Sequence, residues 1–241
     1  MKITFLGTKG YIDSRSRRHF RHTATLITYK NKKIMIDCGI DWAKKVWKIK
    51  PDAIVITHAH PDHVWGLKEG SPCPVYATKT SWKSMENYLI REDQRKIIYL
   101  SKPNTIFDIT FNAIKNEHSL IAPAVSYRIS TPQHTIFYSG DVVYIPHVKQ
   151  ALKNAELYIG DAATITQPLV RKKDNHIYGH ATIGTQLTWC KKAGVTWAIF
   201  THCGSQIVDH DGRKVAAQIR KLGKQKGIKA KVAYDGMVIN L

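Results

Sequence analysis

The sequence predicts an α/β fold in which helices cover two β-sheets. Short β-like runs recur along the 241 residues and alternate with turn residues, whereas helical periodicity is confined to a few stretches. Many strands with interspersed helices are typical of sheets that pack together and carry helices on their outer faces. No repeat, low-complexity tract or Pro/Gly-rich linker divides the chain, so we expect one compact domain over residues 1–241.

The predicted strands are short runs of β-branched, aromatic and other apolar residues that end at turn residues. Three stretches have a helical pattern instead. In the last of them Val215, Ile219 and Leu222 recur about once per turn, with basic residues between them. The predicted helices are 81–90, 183–193 and 212–224. The predicted strands are 2–6, 24–28, 33–37, 53–57, 75–77, 109–114, 125–129, 135–138, 156–159, 197–201, 231–234 and 237–240.

The sequence shows no sign of secretion or membrane insertion. Its first residues read as a short strand and lack the longer apolar core and cleavage site of a signal peptide. Apolar runs such as 34–36 and 53–56 are far too short to span a bilayer. The four cysteines show no CxxC spacing and are expected to be reduced thiols. We therefore expect a cytoplasmic protein with no membrane partner.

The charge balance is strongly basic. Lys and Arg total 37 against 18 acidic residues, which gives a net charge of +19. Such a balance favours anionic partners, with nucleic acid or nucleotides as the leading class. A generally basic, solvated surface is the alternative. The densest cluster contains Arg15, Arg17, Arg18 and Arg21.

A dense group of polar side chains follows the predicted strand at 53–57. Residues 57–63 read Thr-His-Ala-His-Pro-Asp-His, which places three histidines and one aspartate within six residues. Imidazole nitrogen and carboxylate oxygen are ligands of zinc, and manganese and iron accept them too. A lone histidine is more often a packed or surface residue, but four ligands at this spacing predict a metal site.

This arrangement resembles the metallo-β-lactamase superfamily, whose signature is HxHxDH after a strand. Later segments resemble its other motifs in order: His118, then Phe-Tyr-Ser-Gly-Asp ending at Asp141, then Ile-Phe-Thr-His ending at His202. Ile-Asp-Cys-Gly at 36–39 resembles the structural aspartate and glycine before the metal loop. The resemblance spans nearly the whole chain and implies a four-layer αββα sandwich.

By this resemblance the protein binds two divalent metal ions, for which zinc, manganese and iron are all suitable. Two ions about 3.5–4 Å apart can clamp an anionic substrate and deprotonate a shared water. Asp37 is expected to orient a ligand rather than bind a metal. The implied ligands are His58, His60 and His118 for one ion, Asp62, His63 and His202 for the other, and Asp141 as the bridge.

Three segments resemble ribonuclease Z and its phosphodiesterase relatives. The chain opens with Phe-Leu-Gly-Thr at 5–8, and Gly-His-Ala-Thr at 179–182 resembles the His-Ser-Thr motif of that branch. Gly-Asp-Ala-Ala-Thr at 160–164 resembles its His-Glu-Ala-Thr, with glycine and aspartate in place of histidine and glutamate. The resemblance assigns His180 as general acid or phosphoryl stabiliser, oriented by Asp161. A structural role is the alternative for each.

One departure from ribonuclease Z limits the expected substrate. That enzyme carries a long arm for tRNA between the third-motif histidine and the bridging aspartate, whereas here only residues 119–140 separate them. We therefore expect a small or cyclic nucleotide-like diester, or nucleic acid bound without an arm, and not tRNA 3′-end processing.

The leading prediction is a binuclear phosphodiesterase in which a metal-bound hydroxide attacks phosphorus and His180 protonates the leaving oxygen. Turnover is expected to depend on Asp62 as well as on His180 and Asp161. One alternative is a metallohydrolase of a carboxylic ester, thioester, lactone or β-lactam. Another is a basic nucleic-acid-binding protein with a structural metal site. Relatives in this branch are often homodimers, which we expect here.

Two features remain open at the level of sequence. The segment 15–22 lies between the first two predicted strands, where a loop could cover the site and Arg21 could bind phosphate. A solvated basic loop is an equal alternative. His176 is expected to be an exposed loop residue, although its position near His180 would also allow contact with substrate.

Overall fold

The computed structural model describes residues 1–100 and 102–241 of the chain. Within these residues the strands form two seven-stranded sheets and one two-stranded ribbon. In chain order the strands are β1 (Lys2–Gly7), β2 (Ala24–Tyr29), β3 (Lys32–Ile36), β4 (Ala53–Val55), β5 (Val75–Ala77), β6 (Arg95–Ile97), β7 (Asn104–Ile106), β8 (Ile109–Asn116), β9 (Ala124–Ser130), β10 (Thr135–Tyr138), β11 (Leu157–Asp161), β12 (Leu169–Lys173), β13 (His176–His180), β14 (Trp197–Thr201), β15 (Lys229–Val232) and β16 (Met237–Asn240).

The helices connect these strands and lie outside the sheets. They are α1 (Val46–Ile49), α2 (Pro61–Val64), α3 (Lys79–Ser84), α4 (Val148–Ala151), α5 (Ile183–Ala193), α6 (Ser205–Val208) and α7 (Gly212–Lys224), with 3-10 turns at Ile40–Trp42, Trp65–Leu67 and Glu92–Gln94. The N-cap of α5 is Thr182, whose hydroxyl accepts the Thr185 N–H at 3.0 Å. Of the helices in the described residues, none is long and apolar enough to cross a bilayer.

Both sheets combine parallel and antiparallel strands. The first has the order β16-β1-β2-β3-β4-β5-β6, and its strands are parallel from β3 onward. The second has the order β15-β14-β11-β10-β9-β8-β7, and its strands are parallel from β15 to β10. Because β10, β11 and β14 run in the same direction, their carboxyl ends meet at one edge of the sheet.

Three apolar clusters separate four layers of structure. Between the sheets, residues such as Phe5 and Val55 pack against Phe111, Tyr127 and Ile199. A second cluster lies between the second sheet and the helices α4 to α7. A third lies between the first sheet and the helices α1 to α3. The order helix, sheet, sheet, helix confirms the predicted α/β fold and the αββα sandwich.

The predicted helix at 81–90 is wrong in both of its ends. The observed α3 begins after Thr78, whose hydroxyl accepts the Ser81 N–H at 3.1 Å, and it ends at Ser84. The guanidinium of Arg95 donates to the carbonyl oxygens of Glu86, Tyr88 and Ile90 at 2.9–3.1 Å. These carbonyls therefore have their partner at the start of the following strand β6, and the chain does not continue as a helix.

Some strands also differ from the prediction. The strand predicted at 231–234 lies two residues earlier, because Tyr234 leaves the sheet and its ring lies under the Arg18 guanidinium, 4.4 Å from ring centroid to Cζ. The strands β6, β7, β12 and β13 were not predicted. The residues of β12 are all exposed, so no buried face produces a recognisable alternation there. His176 begins β13 and is therefore not a loop residue.

Candidate metal centre

The predicted metal ligands meet at the strand-end edge of the two sheets. The first sheet contributes four of them, all between residues 58 and 63, from the loop after β4 and from α2. The second contributes three, each shortly after a strand: His118 after β8, Asp141 after β10 and His202 after β14. The fold thus brings together residues that lie up to 144 positions apart in the sequence.

One group of four side chains could share a single ion. In His58, His60, His118 and Asp141 the candidate ligand atoms all lie within 4.8 Å of one another. His60 Nδ1 is 3.0 Å from His58 Nε2 and 3.2 Å from His118 Nε2. Asp141 Oδ2 is 3.8 Å from His58 Nε2 and 3.5 Å from His118 Nε2.

A second group consists of Asp62, His63 and His202. Asp62 Oδ2 lies 3.3 Å from His63 Nε2 and 3.0 Å from His202 Nε2. Asp141 Oδ2 lies 3.4 Å from His63 Nε2 and 3.3 Å from His202 Nε2. The same oxygen of Asp141 therefore faces both groups, which is the position of a bridging ligand.

In His58 and His118, a hydrogen bond on the outer side of the ring leaves the inner nitrogen free to bind a cation. Thr57 Oγ1 donates its hydrogen to Asp37, so towards His58 it can act only as an acceptor, and it accepts the His58 Nδ1–H at 3.1 Å. His118 Nδ1 donates to the Gly179 carbonyl oxygen at 2.8 Å. Anchored outer nitrogens of this kind are typical of metal-binding histidines.

Two buried polar atoms without partners also indicate that these side chains could hold a metal ion. Among the buried side-chain atoms of the described residues, Asp141 Oδ1 and His63 Nε2 have no hydrogen-bond partner. A buried polar atom without a partner is costly, and a cation between these groups would satisfy it. Histidine and aspartate in this number suit zinc, manganese or iron. The cluster can therefore hold metal ions.

Asp37 and Gly39 shape the second group from behind. Asp37 Oδ2 accepts the His63 Nδ1–H at 2.8 Å, which is the orienting contact expected from sequence. The backbone of Asp37 has φ 62°, a left-handed conformation that non-glycine residues seldom adopt. A Cβ on Gly39 would lie only 1.9 Å from the Asp62 carbonyl oxygen, so glycine alone allows the two segments to approach.

The two groups of histidines differ in their electrostatic surroundings. Burial lowers the pKa of His58 well below its usual range and that of His118 to about 4, so both rings are neutral. Burial also lowers the pKa of His202, but the carboxylates of Asp141, Asp161 and Asp62 outweigh it and raise it to about 10. The carboxylates therefore attract positive charge to this edge, whether protons or metal ions.

His180 and Asp161 form a pair next to the metal cluster. His180 Nδ1 donates to Asp161 Oδ2 at 2.7 Å, and a ring nitrogen of His180 lies within 4.8 Å of ligand atoms of Asp141 and His202. Burial lowers the pKa of His180, but the charge and hydrogen bond of Asp161 outweigh it, and the net shift is upward. Burial raises the pKa of Asp161, and the same pairing outweighs that effect and lowers it to about 2.

Three buried or site-contacting residues were missed by sequence reasoning. The Ser119 hydroxyl lies 3.2 Å from His60 Nε2. Its position directly after His118 is the sequence signal that could have identified it. Gln186 exchanges hydrogen bonds of 2.9 and 2.7 Å with the N–H and carbonyl of Asp161. Lys9 is almost fully buried and donates from Nζ to the Ile12 carbonyl at 2.6 Å. No sequence pattern signals Lys9 or Gln186.

The metal cluster forms the floor of an open cleft of about 480 Å³. Tyr11, Ile121 and Leu169 are largely exposed at its rim, and His180 lines it beside the cluster. The four cysteines are buried free thiols, as expected.

The basic segment 15–22 contributes no residue to the lining of this cleft. Arg15 and His22 both contact the Asp41 carboxylate, at 3.2 and 2.7 Å. The guanidinium of Arg21 lies over the Trp42 ring, 5.7 Å from its centroid. The segment is therefore held by its own contacts, which favours neither a covering loop nor a freely solvated one.

Comparisons with known proteins agree with this geometry. Residues 32–203 match the Beta-lactamase superfamily domain. The chain is 30% identical over 148 residues to the exodeoxyribonuclease WalJ of Streptococcus pneumoniae, an alignment that covers 54% of each chain. It is 27% identical to the ribonuclease Z of Methanopyrus kandleri over 69% of this chain and 63% of that one. The chain thus spans about half the length of the exodeoxyribonuclease.

A solved structure matches over nearly the whole length. The metallo-β-lactamase fold protein YhfI of Bacillus subtilis superposes with a TM-score of 0.77 at 19% identity, and the match covers 99% of this chain and 98% of that one. A likeness at this identity shows the fold. With the domain match over 32–203, it establishes that the chain belongs to the β-lactamase superfamily and has the metallo-β-lactamase fold.

Proposed function

We propose that the protein is a metal-dependent hydrolase that uses two divalent ions to cleave phosphodiester bonds. The observation that carries the proposal is the pairing of His180 with buried Asp161 directly beside the candidate metal cluster. Two divalent ions held there would activate water and neutralise charge that develops on a phosphoryl group. A metal site with a purely structural role would have no use for a proton donor at an open cleft.

The seven ligand side chains position the reacting groups. We assign His58, His60 and His118 to one ion and Asp62, His63 and His202 to the other, with Asp141 between them. Asp141 Oδ2 faces both groups of side chains, so it would hold the two groups at a fixed distance from each other. Asp37 keeps a proton on His63 Nδ1 and so directs the Nε2 lone pair into the site.

His180 is the proposed proton donor. Its Nδ1 is engaged by Asp161, which leaves Nε2 as the nitrogen available to the cleft. The Asp161 carboxylate raises the pKa of His180 and so favours the protonated ring, whose Nε2–H can donate to an oxygen of the substrate. Asp161 stabilises the positively charged ring before the transfer. When the diester bond breaks, the Nε2 proton passes to the leaving oxygen.

The shape of the site favours an extended or small diester. The segment between His118 and Asp141 consists mainly of β9, β10 and their turns and contributes no arm. The cleft of about 480 Å³ accommodates roughly one nucleotide unit, because pockets for small ligands start near 300 Å³. The net charge of +19 favours a polyanion or a nucleotide as substrate.

The rim favours a second candidate, hydrolysis of a carboxylic ester, thioester or lactone. Tyr11, Ile121 and Leu169 would suit an acyl chain, since all three are apolar and largely exposed. The two candidates share the metal cluster, but the ester reaction would not require the His180–Asp161 pair to donate to an alkoxide.

The test compares metal-analysed protein on bis(p-nitrophenyl) phosphate and on p-nitrophenyl acetate, with and without added manganese or zinc. We expect metal-dependent cleavage of the diester that is lost in Asp62→Ala. The matched control is Asp108→Ala, an exposed aspartate at the end of β8 opposite His118. No diester cleavage at full metal occupancy, with the ester turned over, would replace the proposal by the second candidate.

A further inference from the structure

The ribbon β12–β13 ends at His180 and carries a set of cationic side chains. Its strands pair Leu169 with His180, Arg171 with Tyr178, and Lys173 with His176. Residues directly opposite in an antiparallel pair project to the same face, and alternate residues along a strand share that face. Arg171, Lys173, Tyr178 and His176 therefore lie on the face that presents His180.

Lys172 belongs to the opposite face. It is paired with Ile177, one residue out of step with the His180 row. All three cations, Arg171, Lys172 and Lys173, are exposed. None of them forms an ion pair with any residue in the part of the chain that the structure describes, so their charges are available to a partner.

The His180 face borders a groove that continues from the metal cleft. A cavity of about 390 Å³ is lined by Leu169, Arg171, Tyr178 and His180, among others. The metal cleft is lined by Leu169 and His180 as well. The two cavities thus meet at this residue pair, and a ligand that crosses the metal cluster can continue along the ribbon.

We propose that this ribbon face is the binding track for a single-stranded polynucleotide whose scissile phosphate lies at the metal cluster. The inference rests on the proposed function and deepens it, because it replaces a small diester by a strand of several nucleotides as substrate. Arg171 and Lys173 contact the phosphates next to the scissile one, and Tyr178 stacks on a base between them. Cations interleaved with an aromatic ring are the usual means of holding a single strand.

The dimensions agree with a strand that extends beyond the reacting phosphate. The four residue-to-residue steps from His180 to His176 span about 13 Å at about 3.3 Å per step. That length accommodates two or three nucleotides beyond the cleaved bond. The narrow width of the ribbon face is the only feature that disfavours a duplex. The choice of a single strand therefore rests on Tyr178, which needs an unpaired, exposed base on which to stack.

The experiment measures binding separately from hydrolysis. Metal-loaded protein is titrated into a 12-nucleotide fluorescein-labelled oligothymidylate with phosphorothioate links, which keep the charge but resist cleavage, and the anisotropy is recorded. The oligouridylate counterpart serves as the RNA arm. The variants are Arg171→Gln with Lys173→Gln, Tyr178→Ala, and Lys172→Gln as the matched control that removes one charge from the other face. Turnover of bis(p-nitrophenyl) phosphate is measured on each variant.

We expect the double variant to weaken binding about 10-fold at low salt and to reduce the slope of log affinity against log salt by about 1.4, at about 0.7 per lost phosphate contact on a single strand. Tyr178→Ala is expected to weaken it about 5- to 150-fold. Lys172→Gln should change the affinity for the oligonucleotide by less than about 2-fold. Turnover of the small diester should also change by less than about 2-fold, because that substrate does not reach the ribbon.

Equal losses in Lys172→Gln and in the double variant would overturn the proposal, and so would absence of oligonucleotide binding by the wild-type protein. Failure of the proposed function has a different signature, because the wild-type protein would then not cleave the small diester at all. Tight binding to one of the two oligonucleotides alone supports the track and identifies the strand as DNA or RNA.

Discussion

Exchanging Asp37 for asparagine is expected to weaken the metal site that contains His63 without changing the shape of the loop. The Asp37 side chain is fully buried and accepts three hydrogen bonds of 2.8 Å, from the Thr57 N–H, the Thr57 hydroxyl and His63 Nδ1. Asparagine has the same size, but it replaces one acceptor oxygen by an NH2 donor. Whichever way the amide turns, its NH2 faces an N–H, either that of Thr57 or that of His63.

The size of the effect follows from these two orientations. If the NH2 faces His63, the ring must carry its proton on Nε2, the nitrogen that faces Asp62 and Asp141. Loss of such an outer partner lowers metal affinity about 10- to 100-fold. If the NH2 faces Thr57, a buried N–H loses its acceptor, which lowers the free energy of unfolding by about 1–3 kcal/mol.

Competitive titration of metal-free protein against a chromophoric chelator measures both metal affinities. In Asp37→Asn we expect the site that contains His63 to lose about 10- to 100-fold in affinity, whereas the site of His58, His60 and His118 keeps its affinity. Asp108→Asn, an exposed exchange of the same chemistry, is the control. Wild-type affinity at both sites together with an unchanged Tm would refute the proposed role of Asp37.

Three further predictions concern catalysis, packing and pH. His180→Ala is expected to lower kcat about 10²- to 10⁴-fold for a diester with an alkyl leaving group, and much less for one with a p-nitrophenolate leaving group, which needs no proton. Equal losses on both substrates would remove His180 as the proton donor. Gly39→Ala should lower the free energy of unfolding by about 3 kcal/mol or more, because its Cβ would lie 1.9 Å from the Asp62 carbonyl oxygen. Gly184→Ala, in α5 with no close contact, should be neutral or stabilising, and denaturant melts of the two variants check both. Burial lowers the pKa of His19 to about 4, so between pH 6.5 and 4 the unfolded chain binds a proton that the folded one does not, and stability falls with falling pH. Over that window His19 should account for a loss of about 3 kcal/mol that is absent in His19→Asn, and identical pH profiles of the two proteins in urea melts would contradict this.

The residues of the candidate metal cluster could be predicted from sequence because each follows a strand that is readily recognised. His58, His60, Asp62 and His63 lie within six residues of one another after the buried strand β4. The structure brings to one edge every ligand that the resemblance implied, and it places His180 and Asp161 in contact. Two long helices were also predicted with the correct ends, because their apolar residues recur at helical spacing.

Other features depend on side-chain contacts that leave no pattern in the sequence. Beyond the end of α3, the Arg95 guanidinium binds the carbonyl oxygens of Glu86 and Tyr88, and the first of these would have accepted a hydrogen bond inside a helix over 81–90. Lys9 is buried because its amine meets the Ile12 carbonyl and His22 Nε2, the latter at 3.0 Å, and composition gives no hint of this. The ribbon β12–β13 has no buried face on β12, so its strands leave no periodic signal.

Diesterase activity as a function of bound metal tests the central claim most directly. Metal-free protein is loaded with zinc or manganese in steps, the bound ions per chain are counted by mass spectrometry, and cleavage of bis(p-nitrophenyl) phosphate is measured at each step. The two groups that share Asp141 predict that activity becomes maximal at two ions per chain and that Asp141→Ala holds fewer than two. Full activity at one ion per chain, or none with both sites filled, would contradict the account.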